Sequence, residues 1–284
     1  MFTRKTSVLV AQAMCAGALA TVVTTATPAS SAPATLVPCS ESALSTAISD
    51  ANTAGGGTLT LSPGCTYGLT KALPEIQTRI TISALNSTLT RTATDSFSIL
   101  SVTSSGNLTL TSATLTNGDA QDFGGGIANR GKLSVTGSTI RNNHGNFAGG
   151  IGGGSGSVTQ ITNTTITQNS ATVNGGGVDN SGNMTIVNSH LTGNTAGGWG
   201  GGASNSGTLE VVASSVNGNI AARAGGIYNF SGGTTTLASS NVNNNAADTA
   251  PGGVLNESGT VTPIASRING NTPTNCSGVP GCTT

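Results

Sequence analysis

The sequence predicts an all-β protein: a right-handed parallel β-helix of three-strand coils, each about 25 residues long, with a short N-terminal capping helix. Three observations lead there. One motif recurs six times between Asp119 and Asn271: a glycine pair, an aliphatic residue, a turn, two short apolar segments and an asparagine. Within each repeat the apolar residues alternate with period two, the mark of strands. No helix-length segment separates them.

The period is read from two columns. The residues after the glycine pairs are Ile127, Ile151, Val178, Ala203, Ile227 and Val254, in steps of 24, 27, 25, 24 and 27. A steadier anchor runs Ile140, Ile166, Leu191, Val216, Val242 and Ile268, in steps of 26, 25, 25, 26 and 26, and Leu115 extends it by one repeat. Such a unit cannot bury its apolar side alone, so neighbours must stack. Strand pairs of apolar residues flank the turn, as in Leu133 and Val135 or Met184 and Ile186. Stacked coils then lie about 4.8 Å apart, and the bias of parallel crossovers favours the right hand.

Columns assign the interior. The anchors face in, and so does the small column Ala113, Ser138, Thr164, Ser189, Ser214, Ser240 and Ser266. Three residues after each anchor stands Asn143, Asn169, Asn194, Asn219, Asn245 or Asn271. A second set follows the glycine strand: Asn129, Asn180, Asn205, Asn229 and Asn256. Both sets are expected to turn inward and bond the turn backbone and one another, because a buried amide without partners costs about 1 to 3 kcal/mol.

The segments ITQNSATVNGGGVDN, LTGNTAGGWGGGASN and VNGNIAARAGGIYN resemble the repeats of polymorphic outer-membrane proteins. They are also similar to secreted right-handed β-helix repeat proteins of the pectin-lyase-like superfamily. LPEIQTRITISALNSTLTR, FSILSV and GNLTLTSATLTNG look like the early coils of that secreted group. The resemblance spans roughly residues 39 to 284 and implies the fold; the superfamily holds lyases, hydrolases and adhesins alike. Ile, Leu or Val stands where the outer-membrane motif has an aromatic residue, and no autotransporter barrel follows.

From the start of the chain, residues 1–34 read as a secretory signal peptide. Arg4 and Lys5 precede an apolar stretch from Ser7 to Val23 and a small-residue exit near Ala29, Ala32 or Ala34. Residues 35–72 form the expected N-terminal cap. Leu44, Ala47, Ile48 and Ala51 have helical spacing between the N-cap candidate Ser40 and Gly55. Thr58 to Leu61 is the expected first strand. The solenoid body is assigned to 73–275 and a disulfide tail to 276–284. Four cysteines remain after the leader, most simply bridged as Cys39 with Cys65 and Cys276 with Cys282, an arrangement suited to an exported protein. Metal binding is the alternative, although the pairs are far apart and lack histidine neighbours. With no sortase motif or hydrophobic tail by Thr284, the mature protein is expected to be released as a monomer.

Composition narrows the partners. Charged residues are 7%, against roughly 25% in ordinary domains, and ten acidic residues balance ten basic ones. A nucleic-acid surface is excluded on that ground. No cofactor is implied, and no membrane contact once the leader is removed.

Enzymes on such a fold cluster acids and bases on one face. Here Asp179, Glu210, Asp248 and Glu257 fall in different columns, with no basic residue stacked beside them. One patch is denser: the repeat offset sets Asp119 beside His144 in the loop before the glycine pair, with Asp122 and Asn146 nearby. That pairing suits a general base or a partial metal site; a solvated polar loop is the plainer reading. The same loop carries Phe123, Phe147, Trp199 and Arg223 in one column, with Asn174 and Ala250 in its gaps. Exposed rings would stack on a saccharide; rings folded onto the glycine strand explain the column too. Outward threonines flanking Leu115 and Ile166 look like the flat arrays of ice-binding solenoids, but Arg141, His190 and Arg267 interrupt those columns and the reading is set aside. The chain therefore reads as a secreted structural or binding module that contacts cell wall or polysaccharide. The opposing reading is a lyase or hydrolase of acidic polysaccharide centred on Asp119, Asp122 and His144.

Overall fold

The computed structural model describes residues 34–249 and 251–283, so the proposed signal peptide lies outside the described residues. The chain is a parallel β-solenoid of about 10 turns with one helix near its N-terminus. Its strands form three sheets, of 17, 8 and 6 strands; the largest starts at Thr35, whereas the 8-stranded sheet starts at Leu100 and the 6-stranded one spans Asp119 to Thr249. Every pairing between named strands is parallel, as stacking of successive coils requires. Leu115, Ile140, Ile166, Leu191, Val216, Val242 and Ile268 pair in register, each with its neighbour one coil on. All but Ile268 are fully buried. The second column pairs likewise through Ile127, Ile151, Val178, Ala203, Ile227 and Val254.

Backbone conformation at the corners shapes each coil. On the 17-stranded sheet the coil's strand is divided by one left-handed residue per turn, among them Gly137 (φ 59°), Asn163 (50°), Asn188 (48°) and Ala213 (47°). A second left-handed position precedes the asparagine column, at Asn142, Gln168, Gly193 and Gly218. Small and amide side chains recur at these corners because they tolerate positive φ best.

Polar ladders fill what the aliphatics leave. Each asparagine of the first column bonds the next: Asn143 Nδ2 donates to Asn169 Oδ1 (3.0 Å), and the same bond runs from Asn169 to Asn194, Asn219, Asn245 and Asn271. Asn275 closes the series by accepting from the Asn271 backbone N–H at 3.0 Å. The serine and threonine column behaves in kind, each hydroxyl accepting from the backbone N–H one coil earlier, from Ala113 through Ser240. In the second asparagine set Asn180, Asn205, Asn229 and Asn256 form a continuous chain of amide bonds. Asn129 stands apart because Gly153 occupies the intervening rung; its amide bonds Thr159 Oγ1 instead, at 2.9 Å.

The helix α1 (Glu41–Thr53) closes the N-terminal end. Ser40 Oγ accepts from the Ala43 N–H at 3.2 Å, and Leu44, Ala47, Ile48 and Ala51 are buried. The Glu41 carboxylate accepts from the Thr70 and Lys71 N–H groups and the Thr70 hydroxyl. Those bonds, the Thr70 hydroxyl foremost, hold its pKa below the usual carboxylate range. Ahead of the helix lies a strand that the repeat pattern does not reveal, Thr35–Val37, so Gly56–Leu61 is the second strand and not the first. Three residues are too few to show alternation, and Leu36 is 70% exposed. Disulfides join Cys39 to Cys65 and Cys276 to Cys282, at separations of 26 and 6 residues. In the chain-entropy picture the longer loop contributes about 3 kcal/mol and the shorter one less. No helix among the described residues is long and apolar enough to cross a membrane.

Candidate functional site

The segment between the asparagine and the next glycine pair is a strand, where a loop was expected. Asp119–Phe123, His144–Phe147, Ser170–Asn174 and Thr195–Trp199 pair in the 6-stranded sheet. Apolar alternation is invisible there because the inward residue is small: Ala120, Gly145, Ala171, Ala196 or Ala221. That column of small residues is the signal that could have revealed the strand.

On it Asp119, His144 and Ser170 occupy one position on three successive coils. Their side chains divide into two groups. Asp119 Oδ2 accepts from Ser96 Oγ at 2.8 Å and lies 3.7 Å from Arg91 Nη2, towards the earlier coil. His144 turns the other way: Nδ1 is 2.9 Å from Ser170 Oγ and Nε2 is 3.4 Å from Thr172 Oγ1. A carboxylate–imidazole base needs a bond between its two members, and here each bonds elsewhere. Both residues border two shallow surface depressions, of about 550 and 560 Å³. Asp122 is not drawn in; its side chain is 83% exposed, with Arg130 Nη2 at 3.8 Å. Among the described residues no group of three or more His, Cys, Asp or Glu could hold a metal ion.

The ring column is brought together along the same edge. Phe123, Phe147, Asn174, Trp199 and Arg223 pair coil by coil, and the residue opposite Arg223 is Thr249, not Ala250, which lies outside the described residues. Phe123 and Trp199 fold over the outer face of the 8-stranded sheet. Phe123 lies so close over Gly152 that a Cβ there would meet the ring at 2.6 Å; Arg130 Cζ lies 6.0 Å from the centroid of the same ring, a weak cation–π contact at an exposed site. Trp199 stacks on Tyr228 at 5.9 Å and 22°, and Tyr228 on Phe230 at 4.8 Å and 4°.

The three rings thus form one stack, with Tyr228 buried in the middle and Trp199 and Phe230 half-buried at its two ends. Tyr228 and Phe230 belong to no aromatic column of the repeat, although both flank Asn229 one coil beyond Trp199. At the rim Arg223 Nη1 is 3.3 Å from Glu257 Oε1, so Glu257 does have a basic neighbour, one coil away. The Tyr228 hydroxyl donates to Glu257 Oε2. Burial first, then the bond and charge of Glu257, push the Tyr228 phenol up to about 12.

Two polar atoms beneath this strip, Trp199 Nε1 and Ser204 Oγ, are buried without a hydrogen-bond partner. Asp179, 8% exposed, occupies the coil before Ser204 in the same column. Burial raises its carboxyl from 3.8 to about 6; the Ser204 hydroxyl opposes this weakly, since it makes no well-formed bond. Between those pH values the folded state holds the proton more tightly than the unfolded one, so stability falls as pH rises from 4 to 6. Thermal melts should show a loss on the order of 2 kcal/mol across that window that is missing from Asp179→Asn. Parallel curves for the two proteins would disprove the assignment.

No family model, curated protein or solved structure matches this chain.

Proposed function

We propose that the chain is an exported, non-catalytic β-solenoid that serves as an extracellular structural or binding module and contacts cell-wall or other polysaccharide. The observation that carries this is the strip of three stacked rings, Trp199, Tyr228 and Phe230, with the Arg223–Glu257 pair at its rim. Flat apolar faces beside convergent polar groups are what saccharide binding uses. The two disulfides suit an oxidising compartment. On this reading the chain is a relative, by architecture and motif, of the secreted pectin-lyase-like β-helices and of polymorphic outer-membrane repeats.

The test is retention on insoluble polysaccharides and a glycan array. Phe230→Ala, which removes a half-buried ring, should weaken retention about tenfold while costing only about 1 kcal/mol of stability through the lost stack on Tyr228. Retention that survives both Phe230→Ala and Trp199→Ala would remove the strip from the mechanism. The competing enzyme is favoured by one observation, that Asp119 and His144 border both depressions. Against it stand the separate partners of those two side chains. Turnover of uronic-acid polymers that is lost in His144→Ala would replace the binding reading with the enzymatic one.

A further inference from the structure

A second surface lies on the 17-stranded sheet, away from the rings. In its first half each coil presents a hydroxyl residue on either side of a buried aliphatic one: Thr58-Leu59-Thr60, Thr81-Ile82-Ser83 and Thr109-Leu110-Thr111. Ser134-Val135-Thr136 continues the block, and Thr162 extends one column past Gln160. Period-two alternation sends the hydroxyl residues outward, since the residue between them is at most 2% exposed in each case. They stack in register without a shift: Thr58 on Thr81, Thr81 on Thr109 and Thr109 on Ser134 in one column. Thr60, Ser83, Thr111, Thr136 and Thr162 do so in the other.

The columns that Arg141, His190 and Arg267 interrupt are a different pair, beyond the left-handed corner. Within these two columns no charged residue occurs, and the next outward column, which carries the exposed Arg79 and Lys132, marks the edge of the face. Its hydroxyls make no hydrogen bond inside the protein, in contrast to the inward Ser138 column, whose hydroxyls are fully engaged. Methyls and unpaired hydroxyls therefore repeat about every 4.8 Å between coils and about every 6.6 Å along the strand. The backbone ladder on both sides of each coil holds that lattice rigid.

We propose that this face binds ice. Both repeats are comparable to the oxygen repeats on the prism faces of hexagonal ice, so ordered water on the methyls can bridge each hydroxyl to the crystal. A charged group would hold its own hydration shell and break the match; the two hydroxyl columns have none, so the matched area ends at the Arg79 and Lys132 column. A saccharide would call for ring faces or convergent polar groups, which this block lacks and the Trp199 strip supplies. The inference stands apart from the polysaccharide reading because it rests on other residues.

The full chain should shape ice crystals and inhibit recrystallisation in osmometer and splat assays. Thr111→Tyr and Thr136→Tyr keep strand-forming residues on the outer face but raise a ring above the lattice, and each should lose most of the activity. Thr208→Tyr, exposed on a later coil outside the block, should keep it. Circular dichroism identifies which variants fold, and Thr109→Lys serves as a further folded variant in the same block. A folded full chain with no effect on ice overturns the proposal. So does activity that survives in a folded block variant, or that falls equally in Thr208→Tyr. Binding to crystalline polysaccharide through these threonines, without any effect on ice, overturns it as well.

Discussion

Asn194→Ala should destabilise the protein by about 3 to 5 kcal/mol in a urea melt, an effect few polar substitutions reach. The side chain makes four bonds. Asn194 Oδ1 accepts from both the backbone N–H and the Nδ2 of Asn169, each at 3.0 Å. Asn194 Nδ2 donates to the Ile166 carbonyl and to Asn219 Oδ1, also at 3.0 Å. Alanine orphans the Asn169 groups and the Ile166 carbonyl at a site that water does not reach. Each such group costs about 1 to 3 kcal/mol, and relaxation recovers part of the sum. Asn217→Ala, one residue beyond the neighbouring anchor Val216 but half-exposed on the outer face, should change stability by less than about 0.5 kcal/mol. Equal losses in the two variants would mean that the ladder is not the source.

Gly201→Ala is the second large effect, about 4 kcal/mol or more, through overpacking against backbone. A Cβ at Gly201 would stand 2.4 Å from the Ile220 carbonyl oxygen and 2.6 Å from that of Gly225. Neither atom can retreat freely, because both belong to the next coil, whose N–H and C=O groups are fixed in the ladder between turns. Gly193→Ala is the control. Its Cβ would meet open space, and only its positive φ of 64° is penalised, by about 1 kcal/mol. A solenoid's stability is close to a sum of coil and interface terms, so the Gly201 variant should also melt with a broader transition than the control.

Much of this architecture was legible in the chain, for a specific reason. A coil that stacks on a copy of itself puts equivalent positions in contact, so spacing in sequence translates directly into vertical neighbours. That is why Ile140, Ile166 and Leu191, and the asparagines three residues beyond them, could be aligned by counting. The candidate site was legible only in part. Counting placed Asp119 beside His144, and their Cα positions do pair. It could not say that Asp119 would bond Ser96 while His144 turned to Ser170, because the choice depends on which hydroxyl lies within reach on either side. Likewise the threonine block was hidden behind an interruption by Arg141 that belongs to a separate pair of columns.

The sequence by itself determined the coil length, the buried columns, the two disulfide pairs' members and the capping helix, since all of these follow from local alternation, capping chemistry and a fixed period. Only the tertiary structure decided how the outer surface is used: which rings lie over which coil, that Arg223 meets Glu257, and that the free hydroxyls form one uninterrupted lattice. The division has a physical cause. Inward side chains have one direction available and a neighbour already specified by the repeat, whereas outward ones choose among partners one coil up, one coil down or across a corner, at distances the period does not encode.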